Sequence, residues 1–271
     1  MGYVEGRNII YDIRAAEGDL NRLAVLAREL VASQPDVLIG AATVSAEALG
    51  AITRDIPIVM TVMLDPIETG FSDSMSRPSR NLTGFTSSSP TLAAKRLELL
   101  HELLPNLRKV AYFGASSSAR FTIFEQHLRS AAERFRIAVI PVPVTTEASL
   151  AGAFETVDRE KVQAVLVGVN ASGLRLSVQI IDQCLVRDLP SILPWSFAAQ
   201  AGALMSYGPP AVENPAGAAR YVDRILKGAK ISELPFEEPT EIKLAINLRT
   251  ARSMKITVPQ TLLARADEIF D

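Results

Sequence analysis

The chain is poor in the residues on which many kinds of functional site depend. It has one cysteine, Cys184, and two histidines in 271 residues. An internal disulfide is therefore excluded, and so is a cysteine-rich metal site. No apolar run approaches the ~20 residues that a membrane-spanning helix needs. Positive and negative charges nearly cancel, with 28 Lys and Arg against 30 Asp and Glu, so no basic excess supports a general nucleic-acid surface.

Common catalytic and phosphate-binding motifs are also missing. The patterns G-x-G-x-x-G and G-x-x-x-x-G-K-[ST] do not occur. The segment G-A-S-S-S at residues 114–118 approaches the G-x-S-x-G elbow but ends in serine. We predict that His101 and His127 lie in amphipathic helices and that Cys184 is a small buried hydrophobe. No acid–base pair stands out, so we expect no catalytic residue, no metal and no cofactor, and binding is favoured over catalysis.

The first residues do not have the features of a signal peptide. Residues 1–8 contain no basic region, no apolar core and no Ala-x-Ala cleavage site. From these residues alone we expect a cytoplasmic protein, or a mature or shortened form of an exported one.

What the chain does contain is a regular alternation of apolar runs and helical patterns. With 48% hydrophobic and 21% charged residues it can bury a large core, and its length suggests about two domains. The predicted strands are 9–13, 37–39, 58–62, 110–113, 138–142, 164–169 and 191–193. The predicted helices are 19–33, 45–53, 91–104, 119–135, 147–158 and 174–187, with Asp19 and Ser45 as N-caps. Near-continuous apolar strands that alternate with helices predict a parallel α/β fold.

The pattern changes twice along the chain. The segment 72–89 is rich in Ser, Pro, Arg, Asn and Gly, and we predict that it separates two α/β layers. After residue 195 come the short run 204–207 and the segment 241–247, which alternates like a strand, together with the predicted helices 215–227, 248–254 and 259–270. The predicted fold class is therefore α/β, with two doubly wound parallel-sheet lobes.

The candidate binding residues follow the predicted strands, because ligands of parallel sheets bind beyond the carboxyl ends of the strands. These loops are rich in small residues, hydroxyls and helix N-termini, which suit an anionic group such as a carboxylate. Ordinary turns with N-caps between a strand and a helix would have the same composition. Asp65 could hold an ammonium or cap the turn before Pro66, and Trp195 could stack on a ligand, cover a hinge or be buried core. The candidate ligand-binding residues are Ala42, Thr43, Asp65, Ser116, Ser117, Asn170, Trp195 and Tyr207.

An ordered set of short motifs carries a family resemblance over essentially the whole chain. The set includes G-Y-V-E-G-R-N at 2–8, I-P-I-V at 56–59, N-L-T-G at 81–84, K-R-L-E-L-L at 95–100, L-M-S-Y-G at 204–208 and A-I-N-L at 245–248. It resembles the family of ABC transporter substrate-binding proteins related to the tryptophan/tyrosine-type periplasmic binders.

The resemblance implies a type I periplasmic-binding-protein fold with a hinge of several crossings and the ligand in an inter-lobe cleft. The expected lobes are 1–85 plus 196–230 and 86–195 plus 231–271. It further implies the solute-binding component of an ABC importer, which is not an enzyme. Such a component would capture a small carboxylate-bearing molecule, such as an amino acid, and work with membrane permease subunits outside the cytoplasm.

The start of the chain departs from the family pattern. Family members carry a signal peptide, a strand and a helix before the segment that matches residues 2–8. We therefore expect an N-terminally truncated first lobe, whose unpaired strand edge would favour self-association. The alternative is an intracellular ligand-sensing protein or an enzyme on the same doubly wound fold. The neutral charge and the lack of a preceding helix-turn-helix count against a regulator, and the lack of a triad, metal set or phosphate loop counts against an enzyme.

Overall fold

The computed structural model describes residues 2–17, 19–88, 91–114, 119–209 and 214–271, and over these ranges the chain divides into two compact α/β units. Unit 1 contains the described residues up to 87 together with 214–238. Unit 2 contains 88, 91–114, 119–209 and 239–271. Among the described residues, no helix combines the length and the apolar character that crossing a membrane requires.

Ten strands, eleven α-helices and two short 3-10 helices are defined within these ranges. The strands are β1 (Leu38–Ala41), β2 (Ile58–Leu64), β3 (Leu82–Ser88), β4 (Lys109–Phe113), β5 (Ala138–Val142), β6 (Ala164–Val167), β7 (Ser191–Leu193), β8 (Met205–Gly208), β9 (Lys243–Asn247) and β10 (Glu268–Phe270). The helices are α1 (Leu23–Ala32), α2 (Thr43–Gly50), α3 (Thr91–Leu103), α4 (Ala119–Phe135), α5 (Glu147–Glu160), α6 (Ala171–Arg175), α7 (Ser177–Val186), α8 (Phe197–Gln200), α9 (Pro215–Leu226), α10 (Leu248–Ser253) and α11 (Gln260–Leu263).

Unit 1 is built on a three-stranded sheet in the order β1-β2-β3. β1 and β2 are parallel, with Leu38 opposite Ile58. All seven residues of β2 are buried, as expected of a strand covered on both faces. The helices α2 and α9 pack against β2. One face is filled by a cluster around Met60 and Phe71, and the other by Val59 with Phe85 and residues of α9.

Unit 2 contains a seven-stranded sheet in the order β10-β9-β8-β7-β6-β4-β5. β8 and β9 are antiparallel, and the other pairs are parallel. Successive side chains of β4 point to opposite faces of the sheet. Tyr112 therefore belongs to the cluster that contains Leu97 and Leu128, whereas Phe113 belongs to the cluster that contains Phe154 and Trp195.

The predicted α/β class with parallel sheets is confirmed, and most predicted elements lie within a few residues of their observed positions. The prediction of a strand at residues 9–13 is wrong, because these residues form no strand. Ile10 and Ile13 are 87% and 81% exposed, so this apolar run packs on no core. A second correction is Ser45, which is not an N-cap: α2 begins at Thr43, and the Ser45 hydroxyl donates to the Ala41 carbonyl.

Two further corrections concern long-range strand pairing. The end of the polar segment 72–89 contains β3, which is part of the sheet of unit 1. The predicted helix 259–270 is only the short α11, and β10 follows it. β10 exists because Glu268, Ile269 and Phe270 pair in parallel with residues 245–247 of β9.

The two units differ from the expected lobes at three places, and at the first of them residues 86–87 belong to unit 1. Residues 196–209 belong to unit 2 because β8 hydrogen-bonds to both β7 and β9. Residues 231–238 belong to unit 1 because the Thr83 hydroxyl donates to the Leu234 carbonyl at 2.6 Å and the Glu237 N–H donates to the Gly84 carbonyl at 3.0 Å.

Candidate functional site

The loop between β1 and α2 in unit 1 has a strained backbone at Ala42. Ala42 has φ +66° and ψ 153°, although it is not a glycine. Its N–H donates to the Val62 carbonyl at 3.0 Å, which fixes the loop against the end of β2. Backbone outliers of this kind cost on the order of 1–3 kcal/mol and concentrate at functional sites. This strain is consistent with the prediction that Ala42 contacts a ligand, which stays a prediction.

Thr43, the next residue, connects the same loop to the end of β2. It is 4% exposed, and its Oγ1 accepts a hydrogen bond from the Leu64 N–H at 3.0 Å. The hydroxyl therefore has a structural role in joining α2 to the last residue of β2.

We expect Thr43→Val to lower the free energy of unfolding by about 1–3 kcal/mol, because the buried Leu64 N–H loses its acceptor while the side-chain shape is kept. Urea denaturation followed by circular dichroism measures the change. Thr257→Val, at an exposed threonine, is the matched control and should stay within about 0.5 kcal/mol of the original chain. Equal stability of the two variants would show that the bond to Thr43 contributes nothing.

Asp65 caps the turn that follows β2. Its Oδ1 accepts from the Ile67 N–H at 2.8 Å and from the Glu68 N–H at 3.1 Å. The structure thus gives Asp65 the capping role that the sequence left open. A contact between Asp65 and a ligand ammonium stays a prediction.

In unit 2 the loops after β4 and β6 meet at Asn170. The Asn170 Oδ1 accepts from the Gly173 N–H at 2.7 Å as the N-cap of α6, and its Nδ2 donates to the Gly168 carbonyl at 3.2 Å. Gly114 follows β4 with φ +132°, and a Cβ placed there would lie 2.4 Å from the Asn170 Nδ2. Glycine is therefore required after β4 both by the backbone conformation and by the proximity of Asn170.

Trp195 and Tyr207 lie at the ends of two neighbouring strands of unit 2. Trp195 comes after β7, and Tyr207 is the last residue but one of β8. Trp195 is 3% exposed, and its ring stacks on Phe197 with 6.3 Å between centroids and 13° between planes. Of the alternatives for Trp195, the structure favours buried core. Tyr207 is half-buried on β8, and its carbonyl accepts from the Arg96 Nε at 2.7 Å. The candidates Ser116 and Ser117 lie outside the described residues.

Arg96 was not among the residues predicted from the sequence, although it is a charged residue buried in unit 2. It lies on α3 and is 1% exposed. Burial lowers the pKa of Arg96 to about 10, against the opposing effect of Tyr112 and Tyr207. Its Nη2 is buried and has no hydrogen-bond partner among the described residues. The sequence does contain a signal, because Arg96 is three residues after Ala93 and four before Leu100, on the apolar face of the helix.

The remaining candidates for chemistry have ordinary environments. Cys184 is buried in α7, and burial raises the pKa of its thiol to about 12, which confirms it as a small core hydrophobe. His101 and His127 lie in α3 and α4, as predicted. Over the described part of the chain, no three His, Cys, Asp or Glu side chains are grouped as a metal site would require.

Comparisons with known proteins agree on one kind of protein. The family model described as "ABC transporter substrate binding protein" matches residues 1–270. A curated relative, the "Tyrosine-binding protein" of Clostridioides difficile (strain R20291), is 24% identical over 273 residues, which cover 98% of this chain and 77% of the relative.

Solved structures are similar over nearly the full length. A conserved domain protein from Vibrio cholerae is 27% identical with a TM-score of 0.87, over 99% of this chain and 90% of that one. An ABC domain from Streptococcus pneumoniae, solved in complex with L-Trp, is 25% identical with a TM-score of 0.84, over 97% of this chain and 90% of that one.

Proposed function

Because the chain belongs to the family of ABC transporter substrate-binding proteins, we propose that it is the solute-binding component of an importer and captures a small carboxylate-bearing molecule, an amino acid above all. Members of this family bind small molecules, are not enzymes, work with the permeases of ABC transporters and are typically found outside the cytoplasm. The observation that carries the proposal is the family match over residues 1–270.

The chemistry of the ligand is supported by two relatives. One is a tyrosine-binding protein and the other was solved with L-Trp, so aromatic amino acids are the first ligands to test. In both units the loops after the strands offer small residues and the N-termini of helices, which suit a carboxylate. Asp65 is the proposed contact for the ammonium group of the amino acid.

Calorimetric titration of the purified chain with L-Trp, L-Tyr and L-Phe tests the proposal, with tryptamine as the matched compound that lacks the carboxylate. We expect at least one amino acid to bind and tryptamine not to bind. A ligand at 100 times its Kd should also stabilise the folded chain by about 2.7 kcal/mol, visible as a higher unfolding temperature. If none of the three amino acids binds, the proposed ligand class is wrong.

Asp65→Asn tests the ammonium contact within the same experiment. Asparagine keeps the Oδ1 that caps the turn, so the fold should be unchanged. We expect the variant to bind the amino acid about 10-fold or more weakly, since hydrogen bonds to charged groups contribute about 1.5–3 kcal/mol. Unchanged affinity would show that the ammonium is held elsewhere.

A further inference from the structure

The guanidinium of Arg96 has one described hydrogen bond and lies completely inside unit 2. Its Nε donates to the Tyr207 carbonyl at 2.7 Å. Its Nη2 is shielded from solvent and has no partner among the described residues. Arg96 is also among the largest fully buried side chains of the chain. A strong donor with a positive charge is thus held in the interior with part of its bonding capacity unused.

No described carboxylate neutralises this charge. The two acidic residues of α3 have other partners: Glu98 bonds to Lys95 and Arg134, and Glu102 bonds to Thr261 and Arg265. The groups that oppose the effect of burial on the pKa of Arg96 are two tyrosine hydroxyls, those of Tyr112 and Tyr207, and neither is a carboxylate. An arginine that is buried without a counter-charge is strongly unfavourable, and buried charges in proteins are normally paired.

The guanidinium lies near the carboxyl ends of two strands, where parallel sheets bind their ligands. Tyr207 is the third of the four residues of β8, and Tyr112 is the last but one of β4, so both lie near the carboxyl ends of their strands. The Tyr112 ring also extends to the loop after β6, since a Cβ placed on Gly168 would lie 2.5 Å from the Tyr112 hydroxyl. Arg96 therefore lies near the edge of the sheet at which such folds bind ligands.

We propose that Arg96 binds the carboxylate of the transported solute and that Nη2 is the donor left for it. This inference rests on the proposed function and adds the residue that supplies the positive charge. A guanidinium suits a carboxylate because its N–H groups form a rigid fork that matches the two oxygens. The competing explanation is that Arg96 only supports the Tyr207 carbonyl as part of the core.

The test compares two arginines with the same substitution. Arg96→Met removes the buried charge on α3. Arg134→Met removes an exposed charge on α4 that forms an ion pair with Glu98 of α3. Each variant and the original chain are titrated with L-Trp and with L-tryptophanamide, whose carboxylate is replaced by a neutral amide. If L-Tyr or L-Phe is the better ligand of the original chain, it and its amide replace this pair.

We expect Arg96→Met to bind the amino acid about 10- to 1000-fold more weakly, because the carboxylate loses its charged partner. Binding of the amide should be nearly unchanged, so the preference for the acid over the amide should disappear. Arg134→Met should keep that preference. If Arg96→Met keeps it as well, Arg96 does not contact the carboxylate, while the proposed function stands.

Arg96→Lys covers the case in which Arg96→Met does not fold. Lysine keeps the charge but lacks the fork of donors. We expect it to retain a reduced preference for the acid over the amide, about 10-fold below that of the original chain. A full preference in Arg96→Lys, or the same loss of affinity for acid and amide, contradicts the proposal.

A separate measurement distinguishes failure of this inference from failure of the proposed function. Thermal unfolding of the original chain and of Arg96→Met is compared in sodium benzoate and in sodium chloride at equal ionic strength. If no amino acid binds but benzoate raises the unfolding temperature of the original chain only, the carboxylate site at Arg96 stands and the amino-acid proposal falls. If benzoate acts on both proteins or on neither, the site at Arg96 is refuted.

Discussion

Gly84→Ala should destabilise unit 1 by about 3 kcal/mol or more, because β3 approaches the backbone of its neighbour β2 so closely at this position that glycine is required. Gly84 has φ +141°, and a Cβ placed on it would lie 2.3 Å from the Met60 carbonyl oxygen and 2.5 Å from the Met60 nitrogen. Backbone atoms cannot rotate away as a side chain can, so the two strands would have to separate. Urea denaturation, with hydrogen exchange of the β2 amides, measures the loss.

Gly152→Ala is the matched control for this substitution. Gly152 is an exposed residue inside α5, and a Cβ placed on it meets no other atom within 4 Å. Alanine should therefore stabilise the chain by about 0.5–1 kcal/mol, because glycine is a poor helix former. If Gly84→Ala has a similar small effect, the close approach of β3 to Met60 is not a constraint on folding.

The part of the fold that could be predicted is the part governed by local patterns. β4, β5 and β7 are apolar runs covered on both faces or packed on a core, and their positions follow from composition alone. The strand β3 could not be recognised in the same way, because Thr83, Thr86 and Ser87 are buried hydroxyl residues. Their hydroxyl groups donate to distant carbonyls: Thr83 donates to the Leu234 carbonyl and Ser87 to the Met63 carbonyl.

Pairing between distant segments explains the other errors. Residues 9–13 have the composition of a strand but no core to pack on. β10 looks helical locally, yet the Asp267 side chain accepts from the Leu244 N–H at 2.7 Å and starts a pairing with β9. A local pattern contains no information about a partner more than twenty residues away, so neither outcome could be predicted from it.

In the candidate site, too, contacts within a loop could be predicted, whereas contacts with distant strands could not. The loops at the carboxyl ends of the strands could be located, and the capping roles of Asp65 and Asn170 are the kind of contact that local sequence indicates. The bond of Thr43 to Leu64 depends on a neighbouring strand and could not be foreseen. Arg96 could have been found, since a charge on the apolar face of α3 breaks the pattern that predicts the helix.

Phe113→Ala should lower the free energy of unfolding of unit 2 by about 3–5 kcal/mol, through lost burial and the cavity that remains. Phe113 is fully buried at the end of β4, and its ring meets the Phe154 ring edge-on with 5.3 Å between centroids. Its carbonyl accepts from the Gly168 N–H at 2.7 Å, so the loop before Asn170 depends on the same strand end. Urea denaturation measures the stability.

Phe113→Leu separates the cavity from the loss of the aromatic pair. Leucine fills most of the space, so this variant should lose only about 1.5 kcal/mol, part of it from the missing contact with Phe154. Trp195, the only tryptophan, belongs to the same core cluster and reports on it. Its emission should move to longer wavelength in Phe113→Ala, where water gains access, and stay unchanged in Phe113→Leu. Equal losses of stability and equal emission in the two variants would mean that the core closes around the smaller side chain, because only a persistent cavity produces the larger cost.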